Sequence, residues 1–328
     1  MKPILWITLA LAGCGGDTGS SMPAPAPAPG PDTATRTLAA TNTALNNTAC
    51  TAIQPFYWEI GDKTQRLASA SVGGTTYTAS TSMLIASASK WLYGAYVAER
   101  RGGVLTAEDI KYLHFQSGYT NFSPTGCTNT ETVASCLTHD GNGDHDPATD
   151  GKFFYSGGHM QKHASLPAPD GVDLGTRVNA TLAAEIRAKL GTEINLSYTQ
   201  PQLAGGVKTT PADYAIYLRK LLNNQLKMAA LLGSYKVCTN PNTCTEALRT
   251  PITANVDWHY SVGHWVEDDP TTGDGAFSSA GAFGFYPWVD AGKTYYGIVA
   301  RVDAVGGGND SAVCGAIVRK AWLSGVAQ

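Results

Sequence analysis

The sequence predicts an α/β fold: one antiparallel sheet built from the N- and C-terminal segments and flanked by helices, with a mostly helical lobe inserted between them. Three observations lead there. Strand-like runs with turn residues lie near the start of the body, in "PFYWEIGDKTQRLASASVGG", and near its end, in "HYSVGHWVED", "AGAFGFYPWVD" and "YYGIVARV". Between them stand long helical patterns, "DLGTRVNATLAAEIRAKLG" and "TTPADYAIYLRKLLNNQLKMAALLG". No internal repeat interrupts this order.

The elements follow in chain order. "MKPILWITLALAGC" has Lys2, an apolar run from Ile4 to Leu11 and small residues before Cys14, which reads as an export signal over 1–13, too short to span a membrane. Leu11-Ala12-Gly13-Cys14 resembles the bacterial lipobox, in which the cysteine is lipidated; an ordinary cleaved signal with a chance cysteine is the competing reading. Residues 14–40, with "MPAPAPAPGP", read as a flexible Pro-, Ala- and Ser-rich tether. The body is then 41–328. Its first strands form a hairpin around a turn near Gly61. A helix is expected over 82–101, ended by Gly102-Gly103, with Arg100 and Arg101 suiting the dipole at its end. "TAEDIKYL" is a short capped helix, and 117–158 is long and loop-like. Thr210 before Pro211 caps the second long helix. A last helix runs from about Ser311 to Leu323.

Net charge is −3, with no basic run, so nucleic acid is not an expected partner. Cys14 apart, six cysteines remain, an even number that implies disulfides in an exported chain. Proximity pairs Cys127 with Cys136 and Cys238 with Cys244, which leaves Cys50 and Cys314 to join the start of the body to its last helix. The spacings do not repeat and lack Cys-x-x-Cys, which argues against zinc.

The chemistry centres on "TSMLIASASKWLYGAYVAERRGG" (81–103). Ser87 and Lys90 lie three residues apart, on one helical face and within hydrogen-bonding reach. A serine hydroxyl needs a base to become a nucleophile. Lysine, with a reference pKa of about 10.4, becomes one when an apolar setting disfavours its charge. Alone, Ser-x-x-Lys is a weak signal, and a snorkelling lysine explains it equally well.

The surroundings add a family. "MLIASASKWLYGAYVAERRGGVLTAEDIKYL" resembles the nucleophile helix of serine β-lactamases and penicillin-binding-type hydrolases, nearest the class C β-lactamase-like branch with its esterases, D-amino-acid peptidases and nylon-oligomer hydrolases. "FFYSGG" resembles the Tyr-x-Asn motif, with Tyr155 as the tyrosine. "TTPADYAIYLRKLL" and "SSAGAFGFYPWVDAGKTYYGIVAR" resemble the inner-lobe helix and the third-motif strand with its partner. The resemblance implies that Ser87 forms an acyl-enzyme, that Lys90 takes its proton and that Tyr155 relays it to the leaving group. The N–H of Ser87 and one from Ser279, Ala280, Gly281 or Ala282 would form the oxyanion hole. It implies no cofactor. Two departures stand out. The Asn of Tyr-x-Asn is Gly157, and the third motif, usually Lys-Thr-Gly or His-x-Gly, is Ser279-Ala280-Gly281, or Ala276-Phe277-Ser278 if shifted. The missing cation points toward neutral esters or amides.

Other clusters rank lower. Asp140, Asn142, Asp144 and Asp146 alternate as in a calcium loop within Asp140–Asp150, but His145 holds the sixth position and no Glu closes the loop, so a solvated acidic loop is favoured. His159 and His163 have i, i+4 spacing without a third ligand, which makes them surface histidines rather than a metal pair. Trp258, His259, Tyr260 and Trp265 are expected to line or flank the site. The expected protein is a lipid-anchored cell-envelope serine hydrolase, periplasm-facing or on the outer membrane, that cleaves a small ester or amide and touches the membrane only through its anchor. A β-lactamase or peptidoglycan peptidase, and a non-catalytic penicillin-binding-like sensor, are the alternatives.

Overall fold

Asp32 opens the first helix, α1 (Thr33–Asn46), by accepting the Thr35 N–H at 2.8 Å, which satisfies one of the free donors of a helix start. The computed structural model describes residues 30–328 except Pro124, Gly126 and Ala254. The export signal and Cys14 lie outside the described residues. The tether expected over 14–40 ends sooner than its composition suggested. Residues 33–40 are helical, and Ala39, Ala40, Thr43 and Ala44 are buried. The body therefore begins near Pro31, not at 41. Small Ala and Thr side chains, which read as spacer, are what lets α1 pack against the C-terminal helix.

A single turn, α2 (Thr48–Thr51), leads into the hairpin β1 (Phe56–Asp62) and β2 (Arg66–Val72). Its turn lies at 63–65 rather than near Gly61, because Asp62 Oδ1 accepts the N–H of Thr64 and of Gln65 at 2.7 and 2.9 Å. Next come β3 (Met83–Leu84), a 3₁₀ turn (Ala86–Ala88), α3 (Ser89–Arg100), α4 (Ala107–Leu113), β4 (Phe153–Phe154), α5 (Gly158–Ser165) and α6 (Asn179–Leu190). They are followed by β5 (Leu196–Tyr198), β6 (Val207–Thr209), α7 (Pro211–Leu222) and α8 (Met228–Leu231). The chain ends with β7 (Val237–Cys238), β8 (Ala247–Arg249), β9 (His259–Tyr260), β10 (Trp265–Glu267), β11 (Ala276–Ser278), β12 (Tyr286–Val289), β13 (Tyr295–Ala300) and α9 (Gly308–Ser324).

The predicted sheet is present. Eight antiparallel strands run β2-β1-β13-β12-β11-β10-β9-β7, so the first strand lies beside the last, with Trp58 opposite Val299. Alternation sorts their side chains. Phe56, Trp58 and Ile60 of β1 join Val299, Val318 and Trp322 in a core under α1 and α9, while Tyr57, Ile298 and Ala300 join the larger core under α3 and α7. The inserted lobe is less helical than expected. It holds a three-stranded sheet, β3-β6-β5, and a β4–β8 pair, strands of two or three residues that are too short to show a period. All three expected disulfides form: Cys50–Cys314, Cys127–Cys136 and Cys238–Cys244.

The structure corrects two helices. The one expected from Ser82 starts at Ser89, because Met83 and Leu84 pair with Thr209 and Lys208 of β6 instead. The single helix expected over 209–233 breaks after Leu222, where Asn224 turns left-handed (φ +55°), and resumes as α8. Thr210 caps α7 as predicted, accepting the Asp213 N–H. α3 is the central post of the molecule, with every residue from Ser89 to Ala98 buried. Gly94 permits this, since a Cβ there would lie 2.6 Å from the Val262 carbonyl oxygen.

Candidate active site

Ser87 sits on the 3₁₀ turn just before α3, and Lys90 lies in the first turn of that helix. Ala86, immediately before the serine, has φ +43°. A non-glycine residue there costs roughly 1–3 kcal/mol, and the surrounding packing must hold it. This bend replaces a regular helix start and leaves Ser87 partly exposed while its neighbours are buried.

Lys90 Nζ lies 2.8 Å from Ser87 Oγ and 2.8 Å from the carbonyl oxygen of Ala204. It forms no salt bridge among the described residues, and burial lowers its pKa to about 7. A neutral amine so placed donates to Ala204 and can accept the serine proton. Burial pushes the Tyr155 hydroxyl up to about 12, with the nearby Ser87 hydroxyl opposing this in part, so it is protonated at neutral pH. Its ring lies 4.9 Å from Lys90 Nζ, stacks on Trp265 and meets Phe115 and Tyr260 edge-on. Structure therefore brings together Ser87, Lys90 and Tyr155, which the sequence separates by up to 68 positions.

The segment 279–282 runs alongside. The Ser279 hydroxyl donates to the Ser87 carbonyl at 3.0 Å. A Cβ on Gly281 would sit 2.1 Å from the Ile85 carbonyl oxygen, so only glycine fits this approach. Ser279 and Gly281 give their N–H groups to Pro287 and Phe285. Among the described residues the N–H groups of Ala280 and Ala282 have no backbone acceptor. A cleft of about 430 Å³ opens over Ser87, walled by Leu84, Phe122, Gln200 and Phe283.

Solved structures share the fold that carries this cleft, although no family model and no curated protein matches the chain. A protein assigned as a β-lactamase from Bacteroides dorei is 20% identical, with a TM-score of 0.58 over 81% of this chain and 93% of that one. The octameric penicillin-binding protein homologue of Pyrococcus abyssi is 15% identical, with a TM-score of 0.57 over 83% and 74% of the two chains. A D-stereospecific amidohydrolase from Streptomyces is 12% identical, with a TM-score of 0.55 over 86% and 98%. The chain adopts the serine β-lactamase-like fold.

Within this β-lactamase-like fold several residues serve the site that the sequence did not point to. Gln161 of α5 donates to the Pro201 and Val133 carbonyls and accepts the Leu203 N–H, which anchors the loop carrying Ala204. His159 and His163 are fully buried rather than at the surface, because each ring is bonded internally. His159 bonds the Phe154 carbonyl through Nε2 at 3.0 Å and Ser117 through Nδ1 at 2.8 Å, next to Tyr155. His163 bridges Asp109 and the Tyr93 hydroxyl of α3. Neither pattern shows in the sequence, where i, i+4 histidines look alike inside or outside. Of the four aromatic candidates, Tyr260 and Trp265 pack on Tyr155, His259 pairs with Asp268 at 2.8 Å and Trp258 packs near Trp265; none lines the cleft. In the acidic loop, Asn142 turns inward to bond Ser123 and Cys136, Asp146 accepts the Ala148 N–H and Asp150 pairs with Lys111. Among the described residues no group of three His, Cys, Asp or Glu side chains is placed to hold a metal, and no helix is long and apolar enough to cross a membrane.

Proposed function

We propose that the protein is an exported, lipid-anchored serine hydrolase that cleaves neutral carboxylic esters or simple amides through an acyl-enzyme on Ser87. The observation that carries this is the 2.8 Å contact from the buried, carboxylate-free Lys90 amine to the Ser87 hydroxyl. Neutral Lys90 takes the Ser87 proton as Oγ attacks the carbonyl carbon. The N–H groups of Ser87 and of Ala282, next to Phe283 of the cleft wall, receive the developing oxyanion. Tyr155 gives its proton to the departing alkoxide or amine and regains one from the Lys90 ammonium, which is left neutral again. Water then attacks the acyl-enzyme as neutral Lys90 takes its proton through the Tyr155 hydroxyl, and that proton returns to Ser87 Oγ as the acid leaves. The penicillin-binding and amidohydrolase names of the neighbours fit acyl transfer of this kind.

Ser279 stands where a carboxylate-binding cation would serve a lactam or a peptide terminus, and its hydroxyl is engaged by the Ser87 carbonyl. This favours neutral substrates over β-lactams and peptidoglycan. Three disulfides suit an oxidising compartment, in keeping with export and anchoring through Cys14. The test compares p-nitrophenyl acyl esters with a chromogenic cephalosporin. Ester turnover that disappears in Ser87→Ala, with the circular dichroism of the variant unchanged, is expected. Faster cephalosporin turnover, or an active Ser87→Ala, would overturn the reading.

A further inference from the structure

The cleft over Ser87 is unusual in its charge and in one wall. Among the described residues lining it, Lys90 is the one ionisable group, and Lys90 is already engaged by Ser87 and Ala204. The rest are apolar side chains, Leu84, Phe122 and Phe283 foremost, together with neutral Thr and Gln groups. Leu84 is 37% exposed, which leaves it free for contact.

Phe122 owes its place to two glycines. Gly157 has an ordinary φ of −68°, so its backbone does not require glycine. Space is tight instead: a Cβ there would come 3.3 Å from the Phe122 ring and 3.3 Å from Ala204 Cβ, so the ring would have to give by a few tenths of an ångström. A Cβ on Gly158 would lie 3.2 Å from Phe122 Cβ and 2.5 Å from the Tyr119 carbonyl oxygen. A side chain at 157 starts out against the Phe122 ring. The position where the resembling motif has a polar amide thus admits an aromatic wall.

We infer that the acyl half of the substrate is uncharged and apolar, an aliphatic chain or aryl ring laid against Phe122, Leu84 and Phe283, and that the Phe122–Gly157 pair sets this preference. The inference rests on the hydrolase reading above and names its substrate class. The acyl half, not the leaving group, is assigned to the cleft because Tyr155 is not among the cleft-lining residues. A leaving group protonated by Tyr155 departs on the other side of Ser87. Thr199 and the paired Gln200 and Gln202 amides offer neutral hydrogen bonds but no counter-charge for a carboxylate.

The experiment measures kcat/KM for p-nitrophenyl acetate, butyrate and hexanoate and for the p-nitrophenyl monoester of glutaric acid, whose chain ends in a carboxylate. Each added methylene should raise kcat/KM about three- to fourfold, the factor expected for burying one CH₂. The glutarate ester should fall at least about tenfold below the hexanoate ester, since its charge is desolvated without a partner. In Phe122→Ala and in Gly157→Asn the hexanoate-to-acetate ratio should drop about tenfold, and Phe122→Leu should recover most of it. Acetate as the best substrate, a glutarate ester equal to hexanoate, or a Phe122→Ala variant that lowers all esters equally would each overturn the inference. Labelling of Ser87 by hexyl and methyl p-nitrophenyl phosphonates, read by mass spectrometry, separates the two claims. Labelling by both at equal rates overturns the acyl preference alone, whereas labelling by neither overturns the hydrolase reading and the inference with it.

Discussion

Replacing Lys90 with methionine should make the protein more stable at neutral pH while it destroys activity. Burial lowers the Lys90 pKa from 10.5 to about 7, and at 1.36 kcal/mol per unit this is about 5 kcal/mol of cost to the folded state. The unfolded chain binds the proton more tightly, so the cost is full below about pH 7, declines as pH rises and vanishes above 10.5. Methionine removes that cost and keeps much of the volume. It also gives up the bonds to Ser87 and Ala204, about 1 kcal/mol each. The net gain is about 3 kcal/mol at about pH 6 and close to nothing at about pH 9. Urea unfolding of both proteins at the two pH values, with disulfides intact, measures it directly. A Lys90→Met variant less stable than the parent at the lower pH, or a gain that does not shrink as pH rises, would refute the claim that Lys90 is held neutral by its apolar setting.

Other outcomes follow from the same geometry. Ester kcat/KM should rise about tenfold per pH unit up to about 7 and then level, as the Lys90 amine becomes neutral; Lys90→Arg, which keeps a charge that cannot be lost, should be as inactive as Lys90→Ala. Tyr155→Phe should lower kcat by about two to four orders of magnitude, and the Lys90→Ala/Tyr155→Phe double variant should be little worse than the poorer single one, with additive losses showing independent action instead. Replacing Cys50 and Cys314 with alanine should cost about 3–5 kcal/mol, since the bond closes a very long loop, while loss of the short Cys238–Cys244 bridge should cost less; denaturant midpoints compare the two.

The sheet was legible because its strands carry alternating apolar residues and lie at both ends of the body, and Ser87, Lys90 and Tyr155 were legible because their motifs are local. What escaped depends on contacts made far along the chain. The Ser82–Ile85 segment has a helical composition, yet pairing with β6 pulls it into a strand. α1 carries a readable cap in Asp32 and a stripe of Ala39, Ala40 and Ala44, but small side chains give a weak period next to a Pro-Ala run. Gln161 and His159 support the site through backbone carbonyls, and a carbonyl has no identity in a sequence. The role of Gly157 as a seat for Phe122 needs coordinates, since a glycine in isolation first suggests a turn.

The pairing of β1 with β13 has a temporal meaning. Synthesis produces Ser87 and Lys90 early, but the strand that completes the sheet behind α3 comes almost last, and until it arrives β1 and β2 are a lone hairpin of marginal stability. On the proposed mechanism, Lys90 in that unfinished chain lacks the burial that lowers its pKa, so it would not yet serve as a base for Ser87. If Ser87 is the nucleophile proposed above, its reactivity is a property of closure, gained when the two ends of the body meet.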